Sequence, residues 1–185
     1  MGRYKNGKPN QEISLEEFQR ALSKGHYANL YLHRAYLAVI FWIGCRRSEP
    51  LMMLKEDIRE EKGSLFLKIP ALKHGMRGGE IELPLSYPGV DYILKRWQQI
   101  KPGRRMFPFT DKTGYRIIKR IFTDKSPHWF RHSRITMLRR LRDQKILSTD
   151  DIKSWTGIKA DRTIEGYGLR SQEGIHKVAA ALMKD

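Results

Sequence analysis

From Gly63 to Leu85 the chain reads GSLFLKIPALKHGMRGGEIELPL, and this stretch obeys a different period from everything around it. Leu65, Leu67 and Ile69 recur at every second position, as do Ile81, Leu83 and Leu85. That spacing puts each set on one face of a strand. Between the sets, Lys73 to Gly79 is rich in Lys, His, Gly and Arg, which is turn composition. The stretch predicts a β-hairpin, with room for a third short strand ahead of it.

Toward the N-terminus the apolar residues fall at helical spacing instead. Ser14-Leu-Glu-Glu17 has the form of a capping box, with the Ser14 hydroxyl accepting from the Glu17 amide and the Glu17 side chain reaching back. Leu15, Phe18 and Leu22 share a face, so a helix is expected to about Lys24. A longer helix fits His26 to Ile43 and ends at Gly44. Its apolar run, Ala35 to Cys45, falls short of the roughly 18 residues that span a bilayer. Ser48 is placed to cap a further helix, with Pro50 in the first turn. Residues 1–13 have no period and read as a flexible basic arm without the apolar stretch of a secretion signal.

Toward the C-terminus the spacing is helical again. Asp91 to Ile100 is one helix, broken by Pro102-Gly103, and Gly114 to Phe122 is a short basic one. Ser126-Pro127 opens another, whose buried stripe is Phe130, Met137, Leu138 and Leu141. Ser148 starts a helix that stops at Gly157, and the tail carries a stripe of Ile175, Val178, Ala179 and Leu182. The expected fold class is α+β, mainly α, with one small antiparallel sheet.

The chain has 185 residues, of which 40% are hydrophobic, so one sizeable domain with a packed core is expected and wholesale disorder is excluded. Lys and Arg number 36 against 20 acids, a net charge of +16 that attracts polyanions, nucleic acid above all. Ten of those basic residues fall between Asp111 and Arg142, where only two acids are present. That imbalance favours a surface that tracks phosphates over a merely solvated face. The single cysteine, Cys45, excludes an intrachain disulfide and a cysteine zinc cluster and suits a reducing, cytoplasmic compartment.

Four elements hold residues able to do chemistry. In Gly44-Cys-Arg46-Arg-Ser48-Glu49 an arginine fork can take two phosphate oxygens, or else pair with Glu49 or Asp57 in a helix corner. In Pro127-His128-Trp-Phe-Arg131-His132 the side chains of His128 and Arg131 share a helical face and can grip one phosphate, the imidazole also moving a proton. His128 and His132 have zinc-ligand spacing, but no glutamate follows His128 in the metalloprotease pattern and no third ligand is evident, so no metal is expected. Lys73 sits in the hairpin turn, and Tyr167 lies between glycines in Thr163-Ile-Glu-Gly-Tyr167-Gly168. A tyrosine becomes nucleophilic when neighbouring arginines and a base favour its phenolate.

Together, the order Arg46, Lys73, His128-x-x-Arg131, Tyr167 resembles the tyrosine recombinase (phage integrase) family, over residues 14–183. The resemblance implies a helical catalytic domain of tyrosine-recombinase type over 14–185, without the N-terminal DNA-clamping domain of typical members. It implies Arg46, Lys73, His128, Arg131 and Tyr167 as catalytic residues, with Glu49, His132 and Lys159 supporting them. Along the duplex backbone it places Arg47, His74, Arg77, Arg116, Lys119, Arg120 and Arg134. The family's usual histidine or tryptophan nine residues before the nucleophile is replaced by Ile158, which cannot donate to a phosphate.

The implied reaction is site-specific cutting and rejoining of double-stranded DNA through a 3′-phosphotyrosyl link, with no cofactor. Self-association on DNA through 172–184 is implied as well, although the apolar stripe of that tail would serve equally to pack on the chain's own core. A cytoplasmic, DNA-associated location in the host of a virus or mobile element is also implied. Two readings keep the fold: relaxation of DNA in the manner of a type IB topoisomerase, and a DNA-binding regulatory relative with impaired catalysis. An RNA-binding basic protein is disfavoured, because the aromatic stacking motifs of the known modules are missing.

Overall fold

A computed structural model describes residues 12–24, 30–71, 75–76, 80–156, 178 and 180–182. Helix α2 (Leu30–Ile43) is its axis. From Ala35 to Ile43 every side chain is buried, the pattern of a helix that is apolar all round and packed on all sides. Helix α1 (Leu15–Ser23) lays Phe18 flat on Phe41, ring centroids 3.9 Å apart, and edge-on to Trp42. Helix α3 (Val90–Gln99) covers α2 on another side, and Trp42 Nε1 donates to Pro88 O at 2.9 Å just ahead of it. Helices α4 (Asp111–Ile121), α5 (Pro127–Asp143) and α6 (Thr149–Thr156) complete the helical layer, with α5 crossing α2 and α6 resting on α5.

The hairpin forms as its period requires. Strand β2 (Ser64–Leu67) pairs antiparallel with β1 (Ile58–Glu61) on one side and with β5 (Ile81–Pro84) on the other. The register sets Leu65 opposite Leu83 and Leu67 opposite Ile81, so both alternating sets face the core. The third strand is thus present. An unexpected second ribbon pairs β3 (Pro70–Ala71), just ahead of the stretch read as turn, with β4 (Gly75–Met76) inside it; two-residue strands are too short to show a period. Phe66 points to the other face, where Arg59 lies 3.9 Å over its ring while pairing with Glu80.

Several local expectations change. Ser48 caps no helix: only a 3-10 turn, Pro50–Met52, follows, before Met53 turns extended. Helix α4 begins three residues early, at Asp111, because Thr110 Oγ1 accepts from the Thr113 amide at 3.2 Å. Ser14 accepts from Glu17 N at 3.1 Å, but the reciprocal half of that box is not made, since the Glu17 carboxylate instead receives the buried ammonium of Lys125. The reciprocal box appears at α6, where Ser148 N donates to Asp151 Oδ2 at 2.8 Å and Asp151 N to Ser148 Oγ at 3.1 Å.

Glu12 and Ile13, read as the end of the arm, are anchored. The Ile13 amide donates to Ser133 Oγ at 3.0 Å, and Glu12 pairs with Arg140 at 2.8 Å. From the tail, Val178, Ala181 and Leu182 pack into the chain's own core, while Ile175 and Ala179 lie outside the described residues. No described helix is long and apolar enough to cross a membrane.

Candidate active site

The end of α2 creates the site. The last carbonyls of a helix lack intrahelical donors, and here side chains from distant helices supply them. Arg134 Nε and Nη2 donate to Phe41 O at 3.1 and 2.9 Å, Trp155 Nε1 to Trp42 O at 3.3 Å, and Arg131 Nη1 to Gly44 O at 3.0 Å. Gly44 itself has φ +64°, in the left-handed region. It also lies so close to α5 that a Cβ there would fall 2.7 Å from Arg134 Cβ. Only glycine meets both demands, and its presence lets the Cys45–Arg47 segment leave α2 directly beside the first turns of α5.

That approach opens a cleft of about 230 Å³ lined by Cys45, Arg46, Arg47, Ser48, Asp111, Pro127, His128 and Arg131. Two of the sequence-predicted elements, far apart in the chain, therefore converge. Glu49 is 1% exposed and holds Arg46 at two points: it accepts from the Arg46 amide at 2.8 Å and from Nη1 at 3.0 Å. The pairing of Arg46 with Glu49 and the placing of Arg46 in a basic cleft are both realised, because a guanidinium has five N–H donors and the side chain remains 45% exposed. His128 is exposed at the mouth, and Arg131 is half-buried.

Arg47 is differently held. Its Nε and Nη2 donate to the two oxygens of Asp111 at 2.8 and 2.6 Å, a bidentate pair. Hydrogen bonding to Arg47 holds the Asp111 carboxyl below its ordinary pKa, against the smaller opposing effect of burial. Tyr36 Oη donates to Arg47 O at 2.8 Å, and the Tyr115 ring lies 5.4 Å from the Arg47 guanidinium. Asp111 is the one carboxylate among the described residues of the cleft lining. In the sequence it stands out only as one of two acids in a basic run, since nothing local announces a partner 64 positions away.

The other expected residues divide. Arg116 and Arg120 are exposed on α4, while Lys119 is half-buried and its ammonium donates to Thr123 O, two residues past the helix end. Arg134 cannot line the duplex: it is 3% exposed, stacked 4.9 Å from the Phe41 ring and 5.2 Å from Trp42. Its place in the basic run reflected a core requirement, and the same holds for buried Lys125. Lys73, His74, Arg77, Ile158, Lys159 and Tyr167 lie outside the described residues, as does the side chain of His132. No cluster of His, Cys, Asp or Glu suited to a metal occurs among the described residues.

No family model matches the chain, and no curated protein matches its sequence. Solved structures do match. The XerH site-specific recombinase bound to difH substrate in a pre-cleavage complex aligns with TM-score 0.60 and 17% identity, over 92% of this chain and 51% of that one. The same recombinase in a post-cleavage complex with palindromic difH gives 0.60 and 18%, over 92% and 50%. The integrase from mycobacterium phage Brujita gives 0.56 and 18%, over 96% and 61%. The chain thus spans about half to three-fifths of the solved chains it matches. It has the catalytic-domain fold of tyrosine recombinases and integrases.

Proposed function

We propose that this chain cuts and rejoins double-stranded DNA as a site-specific tyrosine recombinase. The observation that carries the reading is the convergence of Arg46, His128 and Arg131 on one basic cleft, in a fold that solved recombinases share. In this reading one DNA phosphate enters the cleft. Arg46 and Arg131 hold its non-bridging oxygens as charge develops, where preorganised donors count most.

The phenolic oxygen of Tyr167 attacks the phosphorus, with His128 assisting removal of its proton. The bond to the 5′ oxygen breaks as Lys73 delivers a proton to that oxygen, leaving a 3′-phosphotyrosyl link and a free 5′-hydroxyl. Attack by a 5′-hydroxyl of another strand reverses the step, and the ester is conserved throughout. Val178, Ala181 and Leu182 pack in the chain's own core, so self-association through 172–184 would fall to the other residues of that segment; light scattering of the intact chain against one ending at Ser171, with and without DNA, tests it.

The deciding experiment offers a library of nicked duplexes to the protein in EDTA and looks for covalent adducts after denaturation. Wild type forms them, and Tyr167→Phe binds DNA without forming any. Removing one phosphate donor costs about 2.7–4 kcal/mol of barrier, so Arg46→Ala and Arg131→Ala slow adduct formation by roughly several hundred-fold. Adducts from Tyr167→Phe would overturn the nucleophile assignment.

A further inference from the structure

We infer that Arg134 is a positioning residue, whose buried guanidinium locks the end of α2 to α5 and so sets the spacing of Arg46 and Arg131 around a phosphate. The inference rests on the phosphate-cleft reading above and adds a residue to it. Arg134 is 3% exposed, and no carboxylate pairs with it among the described residues. A buried cation without an acid is costly, and an apolar side chain of similar length would fill the same space more cheaply. The charge therefore calls for an explanation other than packing.

Geometry supplies one. The Arg134 fork closes on Phe41 O with two bonds, at 3.1 and 2.9 Å, and its third group reaches Met137 Sδ at 3.1 Å. The accepting carbonyl lies in the last turn of α2, where the helix dipole concentrates negative charge. One turn earlier on α5, Arg131 takes Gly44 O at 3.0 Å. Two arginines three positions apart thus grip two carbonyls three positions apart, and this fixes the register of α5 against α2. Arg46 follows two residues after Gly44, so its place relative to Arg131 is determined at this junction. A slip of one residue along a helix axis is about 1.5 Å. A displacement of about 1 Å at a reacting centre can cost ~100-fold in rate.

The test uses the full chain and a short duplex of random sequence. Arg134→Met keeps length and loses the charge and the fork, whereas Arg134→Lys keeps the charge and loses the fork. Each is made in the wild-type background and beside Arg46→Ala plus Arg131→Ala, and duplex affinity is read by fluorescence anisotropy. If Arg134 acts through the two cleft arginines, Arg134→Met weakens binding by about fivefold or more in the wild-type background and by under about twofold in the other. Backbone amides of 44–49 then exchange faster, with α4 unchanged.

Equal losses in the two backgrounds, or wild-type affinity, overturn the inference, because a separate charge or a general loss of stability gives no coupling. Where Arg134→Met does not fold, Arg134→Lys is judged by the same outcomes. If the Arg46→Ala, Arg131→Ala protein itself binds the duplex like wild type, the phosphate-cleft reading falls. In that case exchange at 44–49 decides alone: faster supports the lock and unchanged overturns it.

Discussion

Asp111 places a negative charge where a phosphate would sit near Arg47, and the two oxygens of its carboxylate occupy that arginine's fork. Asp111→Asn should free the guanidinium for DNA, raising duplex affinity at low salt and steepening the slope of log K against log salt by about one. An unchanged slope would show that Arg47 never meets a phosphate. The sign with pH follows from the depressed Asp111 pKa: the pair is intact above the ordinary carboxylate range and is lost only as pH falls through the lowered value. Wild-type and Asp111→Asn affinities should accordingly converge only in acid, below about pH 4. At Gly44, alanine would meet both a positive φ and the Arg134 side chain. Gly44→Ala should cost about 2–3 kcal/mol of stability in urea unfolding.

Among the elements, α1 is tied to the α4–α5 connection by an ion pair whose lysine side chain is only 7% exposed. Removing one partner strands a charge, so Glu17→Leu should cost about 3 kcal/mol. Adding Lys125→Met should recover much of that loss, a coupling that a double-mutant cycle in chemical denaturation measures. This pair also explains why the Ser14 box closes on one side only: a partner 108 positions away outcompetes the local bond. Helices and the main hairpin were legible because their apolar residues repeat with the period of the element. The failures fall where no period exists: the 3-10 turn after Ser48, the short β3–β4 ribbon, and the early start of α4 at a Thr110 cap.

For the whole molecule, the proposed recombinase reading together with a charge of +16 predicts a DNA affinity strongly dependent on salt. With about six phosphates neutralised, affinity should fall by about a thousandfold between 50 and 200 mM salt, as anisotropy titrations would show. A shallow dependence would count against a backbone-tracking surface. The charge is less available than its count suggests, since Lys125 and Arg134 are interior and Arg140 pairs with Glu12. Arg116 and Arg120 remain exposed on α4, the helix whose first residue, Asp111, lines the cleft.

The linear order of residues settled the period of each main element, the hairpin between helices, and the identity of the arginine and histidine groups worth watching, because periodicity and residue chemistry are local properties. It could not say which arginines face a ligand. Arg46, Arg47, Arg131 and Arg134 carry the same side chain, yet one is held by Glu49, one by Asp111, one on Gly44 and one inside the core on Phe41. Arg46 keeps a partner three positions on, but the partners of Arg47, Arg131 and Arg134 lie 64, 87 and 93 positions away and exist only once those segments meet, the last two where α2 reaches α5 at a single glycine.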